Sequence, residues 1–136
     1  MRKELLAAAA KARESAYAPY SGFKVGAALL CADGSVYTGC NIENAAYTPT
    51  VCAERVAFFK AVSDGKREFK AIAVAGGRAG DKASAVTPCG VCRQVMAEFC
   101  GKDFLIYSAE DGADGRTEYT LGELLPESFG PEDLSK

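Results

Sequence analysis

Residues 69–108, FKAIAVAGGRAGDKASAVTPCGVCRQVMAEFCGKDFLIYS, decide the fold class. The apolar run over 69–75 predicts a buried strand, a loop follows over 76–87, and Pro88 introduces a helix over 89–99. A second apolar run over 104–108 predicts the next strand. Strand, helix and strand in succession make a crossover unit with parallel strands.

Upstream, a helix is expected over 52–63, preceded by a loop over 41–51. Two apolar stretches at 25–31 and 36–40 flank Asp33-Gly34, a strong hairpin signal. Leu5, Leu6, Ala9, Ala12 and Ala16 form one apolar stripe of a helix over 4–17, closed by Pro19. Downstream lie turn signals at Asp111-Gly112 and Asp114-Gly115, a short strand near 118–119, and a brief helix over 121–125 stopped by Pro126. Alternating helices and strands predict right-handed crossovers and a largely parallel sheet, to which the hairpin adds an antiparallel pair. The expected architecture is a single α/β domain over 1–136 with a mixed sheet of about five strands.

Composition narrows the chemistry. A chain of 136 residues with 49% hydrophobic and 25% charged residues fits one globular unit, able to bury about two thirds of its unfolded surface without disulfides. The apolar run 5–10 ends at Lys11, too short for a membrane span or a signal-peptide core, so the cytoplasm is the expected compartment. Thiols stay reduced there, and the six cysteines read as metal ligands, catalytic groups or small packing residues. A net charge of −2 without a basic block gives little reason to bind nucleic acid or an anionic membrane. The chain has no histidine, which excludes an imidazole base and every Ser/His or Cys/His nucleophile pair.

Three cysteines fall where helices are expected to begin: Cys52 in one, Cys89 and Cys92 in the first turn of the next. A helix N-terminus presents free N–H groups and partial positive charge, which favour a thiolate. Cys89 and Cys92, three positions apart, can aim their sulfurs at one spot. Should the two helix starts meet at the carboxyl ends of neighbouring parallel strands, Cys52 completes a three-sulfur site. Three protein ligands and one open position suit a catalytic zinc, whereas structural zinc takes four. Glu54 stands near such a metal but off the face on which Cys52 points, placed to accept a proton from water. Arg55 supplies a cation that hydrogen-bonds sulfur and offsets thiolate charge.

Other readings of these residues stay open. Cys89 and Cys92 alone fit a redox dithiol, and a non-catalytic zinc module would recruit Cys40 or Cys100 as a fourth ligand. Cys31, Cys40 and Cys100 otherwise read as packing residues, and Phe23, Val25 and Tyr47 as ordinary core. The run Gly76-Gly77-Arg78-Ala79-Gly80 lacks the ending and spacing of a phosphate loop and reads as a flexible connector.

Cys52-Ala53-Glu54-Arg55 with Pro88-Cys89-Gly90-Val91-Cys92 resembles the signature of the zinc-dependent cytidine deaminase superfamily. Cysteine as first ligand resembles its small free-nucleoside branch. Similar motifs recur along the chain, at Ala16 through Ser21, Phe23 through Ala28, Gly39 through Tyr47, Pro88 through Gln94, and Leu124-Leu125-Pro126 with Phe129. Thr48-Pro49-Thr50-Val51 is the stretch that matches least.

The resemblance implies a three-layer αβα sandwich and one Zn2+ per subunit on Cys52, Cys89 and Cys92. Glu54 would shuttle protons, with Arg55 beside the sulfurs. Asn41 and Glu43 would hydrogen-bond the ribose hydroxyls, Ile42 would also bind substrate, Phe23 and Val25 would line the pocket, and the Ala53 backbone would meet the base. Tyr47 and Phe129 would help close a site, that of a neighbouring subunit, in a homotetramer with shared active sites. The implied reaction is hydrolytic deamination of cytidine and 2′-deoxycytidine to the uridines, in pyrimidine salvage, with a deaminase of a nucleoside analogue as the nearest alternative. Glu43 would repel a phosphate and so favour a nucleoside over a nucleotide.

Overall fold

Alanine density and glycine placement set how closely the layers approach. The structure, a computed structural model, describes residues 1–109 and 116–135; the turn signals at Asp111-Gly112 and Asp114-Gly115 lie outside them. Helix α1 (Arg2–Arg13) carries Glu4 in its first turn and Lys11 and Arg13 in its last, matching the helix dipole. It stops at Arg13 and not at 17, because the Tyr17 backbone is taken by long-range pairing. Tyr17 N–H donates to the Asn41 carbonyl at 3.0 Å, and the Tyr17 carbonyl accepts from Glu43 N–H at 2.9 Å.

Strands β1 (Phe23–Cys31) and β2 (Val36–Cys40) form the expected hairpin. Asp33 Oδ1 accepts from Ser35 N–H at 3.0 Å, and Gly34 takes φ 91°, a left-handed value suited to glycine. Then come α2 (Ala53–Ser63), β3 (Phe69–Arg78), α3 (Gly90–Phe99), β4 (Leu105–Ser108), β5 (Glu118–Thr120), α4 (Leu121–Leu124) and α5 (Pro131–Leu134). Helix α5 has no counterpart in the sequence reading. A capping box fixes the start of α4: Thr120 Oγ1 accepts from Glu123 N–H, and Glu123 Oε1 accepts from Thr120 N–H.

The five strands make one mixed sheet in the order β2-β1-β3-β4-β5. It is not largely parallel: only β3 and β4 pair in parallel, while β1 is antiparallel to both β2 and β3. The cause is where the hairpin inserts. Strands β2 and β3 run the same way, and β1 lies between them. The helices α2 and α3 therefore leave from the same end of the sheet, and the start of β1 lies there too.

Strand β3 extends to Arg78, past the 69–75 expected, so Gly76 and Gly77 are paired strand residues, opposite Val25 and Lys24, and not a flexible connector. Crowding explains the glycine: a Cβ on Gly76 would stand 3.0 Å from Val86 and 3.1 Å from Phe23.

Alternation along β1 and β3 separates two buried faces. Ala27, Leu29, Ile72, Val74 and Ile106 pack against Ala57, Phe58 and Ala61 of α2 and Cys92 and Met96 of α3. On the other face, Ala28, Ala71, Ala73, Ala75 and Tyr107 meet Leu5 and Ala9 of α1. The result is three layers, helix, sheet and helices. Small residues let α1 seat deeply, since a Cβ on Gly26 would fall 2.0 Å from the Ala9 carbonyl. All six cysteines are free; Cys31 is buried in the core and Cys100 packs at its edge, where burial pushes its thiol up to about 12.

Candidate active site

Cys52 and Cys89 cap α2 and α3 in extended conformation, with ψ of 155° and 168°, and Cys92 follows in the first turn of α3. Their sulfurs converge. Cys52 Sγ lies 3.7 Å from Cys89 Sγ, Cys89 Sγ lies 3.6 Å from Cys92 Sγ, and all three fall within 4.8 Å of one another. Sulfurs held ~2.3 Å from a tetrahedral zinc stand about 3.8 Å apart, so the spacing and the soft donor set fit that ion. Among the described residues neither Cys40 nor Cys100 joins this cluster.

Electrostatics favour a thiolate at Cys52. Hydrogen bonding with Cys92, then with Arg55 and Cys89, holds its thiol well below the ordinary value. The same interaction with Cys52, together with burial, pushes Cys92 up. Arg55 Nη2 donates to Cys52 Sγ at 3.4 Å. Its Nε is buried with no hydrogen-bond partner among the described residues.

Glu54 is 4% exposed, one residue into α2 beyond Ala53. Burial raises its carboxyl to about 7, and the negative Cys52 adds to the rise. Glu54, Cys52 and Cys89 open onto a cavity of ≈ 400 Å³ together with Phe23, Val25, Asn41, Glu43 and Ala53. A larger cavity of ≈ 750 Å³ against α1 has no thiol or carboxylate among its described walls.

Several expected binding residues have structural partners. Asn41 Oδ1 accepts from Val25 N–H at 2.8 Å, and its Nδ2 donates to the Phe23 carbonyl at 2.9 Å, so this amide holds the start of β1 in place. Glu43 Oε1 accepts from the N–H groups of Tyr20 and Ser21 at 2.9 and 3.0 Å, and the Ser21 hydroxyl donates to Oε2. The Ser21 hydroxyl and these N–H groups keep the Glu43 carboxyl below the usual range. Ile42 is outside the cavity wall; it pairs with Val51 through hydrogen bonds of 3.0 Å in both directions. Tyr47 and Phe129 also stand outside it, 72% and 59% exposed.

Other lining residues escaped the sequence reading: Ser21, Thr50, Val51, Val86 and Thr87. Val86 is fixed by the buried Ser108, whose Oγ accepts from Val86 N–H and donates to the Val86 carbonyl, both at 3.1 Å. The available signal was position alone: Thr87 abuts Pro88, and Ser21 follows the Pro19 turn.

A family model described as the cytidine and deoxycytidylate deaminase zinc-binding region matches residues 1–108. The chain is 56% identical over 133 residues to a cytidine deaminase of Sporosarcina psychrophila, covering 98% of this chain and 94% of that protein. It is 52% identical over 134 residues to one from Halalkalibacterium halodurans, covering 98% of each. Among solved structures it resembles the cytidine deaminase of Burkholderia pseudomallei, with TM-score 0.84 and 45% identity over 95% of this chain and 99% of that one. The enzyme of Mycobacterium tuberculosis gives TM-score 0.79 at 41% identity, over 94% and 96% of the two chains.

Proposed function

The chain belongs to the zinc-binding cytidine and deoxycytidylate deaminase family of hydrolases, and from that premise we propose that it converts cytidine and 2′-deoxycytidine, with water, to the corresponding uridines and ammonia. The observation that carries the reading is a cluster of three cysteine sulfurs at a cleft lined by two of them, Cys52 and Cys89, and by the buried Glu54. Cys52, Cys89 and Cys92 would hold zinc, one ion per subunit, which would supply a Lewis acid able to make water nucleophilic at neutral pH.

Glu54 handles the protons. It takes one from the water whose oxygen bonds to C4 and delivers it to N3 of the cytosine ring. The second proton of that water, given up as its oxygen becomes the C4 carbonyl, passes through Glu54 to the amino nitrogen, which leaves as ammonia when the C4–N bond breaks. Burial, which raises its carboxyl in the metal-free chain, favours the protonated form and so suits Glu54 to donating as well as accepting. Arg55 donates to Cys52 Sγ and draws charge from the thiolates, keeping the site electrophilic.

Phe23, Val25 and the Ala53 backbone frame the base, Asn41 and Glu43 meet the sugar, and Ile42, outside the cavity wall, holds the segment between them against Val51. Glu43, held ionised by Ser21, repels a 5′-phosphate and so selects nucleosides. Tyr47 and Phe129, exposed aromatic rings away from their own cavity, close the cleft of a neighbouring subunit in a homotetramer with shared sites. Residues 1–136 form one such catalytic unit, acting in pyrimidine salvage in the cytoplasm. A net charge of −2 supports the absence of a nucleic-acid partner, and no helix among the described residues is long and apolar enough to cross a membrane.

A panel of cytidine, 2′-deoxycytidine, CMP and adenosine tests the reading. Turnover of the first two with at least ~100-fold lower kcat/KM for the others is expected, since unpaired or repelled polar groups cost several kcal/mol. Preferential turnover of CMP or adenosine would overturn it.

A further inference from the structure

Arg93, absent from every role considered so far, reaches back from α3 toward the loop that precedes it. Its Nε donates to the Pro88 carbonyl at 2.7 Å, Nη1 to the Leu124 carbonyl at 2.6 Å, and Nη2 to Thr87 Oγ1 at 3.3 Å. These partners lie in two parts of the chain, the adjacent Thr87 and Pro88 and the distant Leu124. Thr87 is in the cleft wall, the Pro88 carbonyl belongs to the peptide that carries Cys89, and the Leu124 carbonyl ends α4.

A guanidinium is planar and presents its N–H donors in fixed directions, so one side chain sets the relative position of all three. The handle on Pro88 matters most. Cys89 is the cap of α3, and a cap residue's own N–H has no intrahelical bond. Its peptide plane is therefore fixed through the preceding carbonyl, the one Arg93 holds. The next residue, Gln94, donates Nε2 to the Phe129 carbonyl at 2.8 Å. The helix turn that follows Cys92 thus grips the C-terminal segment at two points.

We propose that Arg93 is a positioning residue: it fixes the Thr87-Pro88-Cys89 edge of the metal site and ties that edge to the C-terminal segment at Leu124. It acts through the loop, since the Pro88 and Leu124 carbonyls and the Thr87 hydroxyl that it holds are neither a sulfur nor a cleft carboxylate. The inference rests on the reading of Cys89 as a zinc ligand.

The test compares zinc-loaded wild type with Arg93→Lys and Arg93→Gln, following zinc release to a colorimetric chelator, kcat and KM for cytidine, and thermal unfolding of the metal-free forms. Lysine keeps the charge and the stem but, as a point donor, cannot span three acceptors. Both variants are expected to release zinc ~10-fold or more faster and to lose kcat by a similar factor, as outer-sphere partners of metal ligands do. Metal-free melting should match wild type within a few degrees. Should Arg93→Gln fail to fold, Arg93→Lys carries the comparison. Wild-type release rates in the lysine variant, or losses that only track a lowered metal-free melting temperature, would overturn the inference. A wild type that binds no zinc would instead overturn the reading of the site, so the two failures are distinguishable.

Discussion

Cys52 Sγ stands 3.7 Å from Cys89 Sγ across an interval of 37 positions. The sheet produces that meeting. Because β2 and β3 run the same way with β1 between them, the helices that follow start side by side, each capped by a cysteine. Cys89→Ala removes one corner of the cluster. Elemental analysis after dialysis should find far less than one zinc per chain, with the circular dichroism of the folded protein kept. Full zinc content would show that the cluster does not need Cys89.

Glu54→Gln should keep fold and zinc while lowering kcat by ~10²- to 10⁴-fold, the usual worth of a general acid/base. It also has a signature in stability. Between the ordinary carboxyl value of 4.5 and about 7, the folded metal-free chain keeps a proton that the unfolded chain has released. The contribution of Glu54 to the stability of that form should therefore fall as pH rises through this window, while Cys52, whose thiol is held low, contributes in the opposite direction. Urea unfolding of the chelated wild type and Glu54→Gln at a series of pH values isolates the carboxyl: the stability of wild type relative to the variant should fall as pH rises from 4.5 to about 7, and a constant difference would contradict a raised Glu54.

Arg55→Gln withdraws the donor 3.4 Å from Cys52 Sγ. Three thiolates then offset more of the metal's charge, and the site deprotonates less readily. Zinc should remain bound, kcat should fall ~10- to 100-fold, and the acid limb of the pH profile should move to higher pH. An unchanged profile would detach Arg55 from the chemistry.

Gly39 sits under the start of α2. A Cβ there would fall 2.3 Å from the Ala53 carbonyl and 2.7 Å from Ala57 N, both rigid backbone. Gly39→Ala must lift the turn that carries Cys52 and Glu54. Overpacking of this kind costs ~1 to 3 kcal/mol or more, so thermal unfolding should move down by several degrees and zinc should bind less tightly.

The sequence made legible what local chemistry dictates. Asp33-Gly34 marked the hairpin, and β2 matches the expected 36–40; Pro88 and the cysteines marked where α3 and the site begin. What it hid depends on partners far along the chain. The end of α1 is set by Tyr17 pairing with 41–43, and the strand identity of Gly76 and Gly77 by Phe23 and Val86. The parallel content of the sheet was overestimated because a helix between two strands does not reveal that a third strand lies between them. Asn41 reads as a loop amide until Val25 and Phe23 are seen to occupy it, and Arg93 reads as a solvated helix charge until its three acceptors converge.

Every role assigned above depends on zinc-dependent deamination at the three-cysteine site. It is tested most directly by incubating purified protein with cytidine, with and without a strong chelator, and following ammonia. One ammonia per uridine formed is expected, with activity lost on zinc removal and restored by added zinc. No ammonia from the zinc-loaded protein, or equal release after zinc has been stripped, would contradict it.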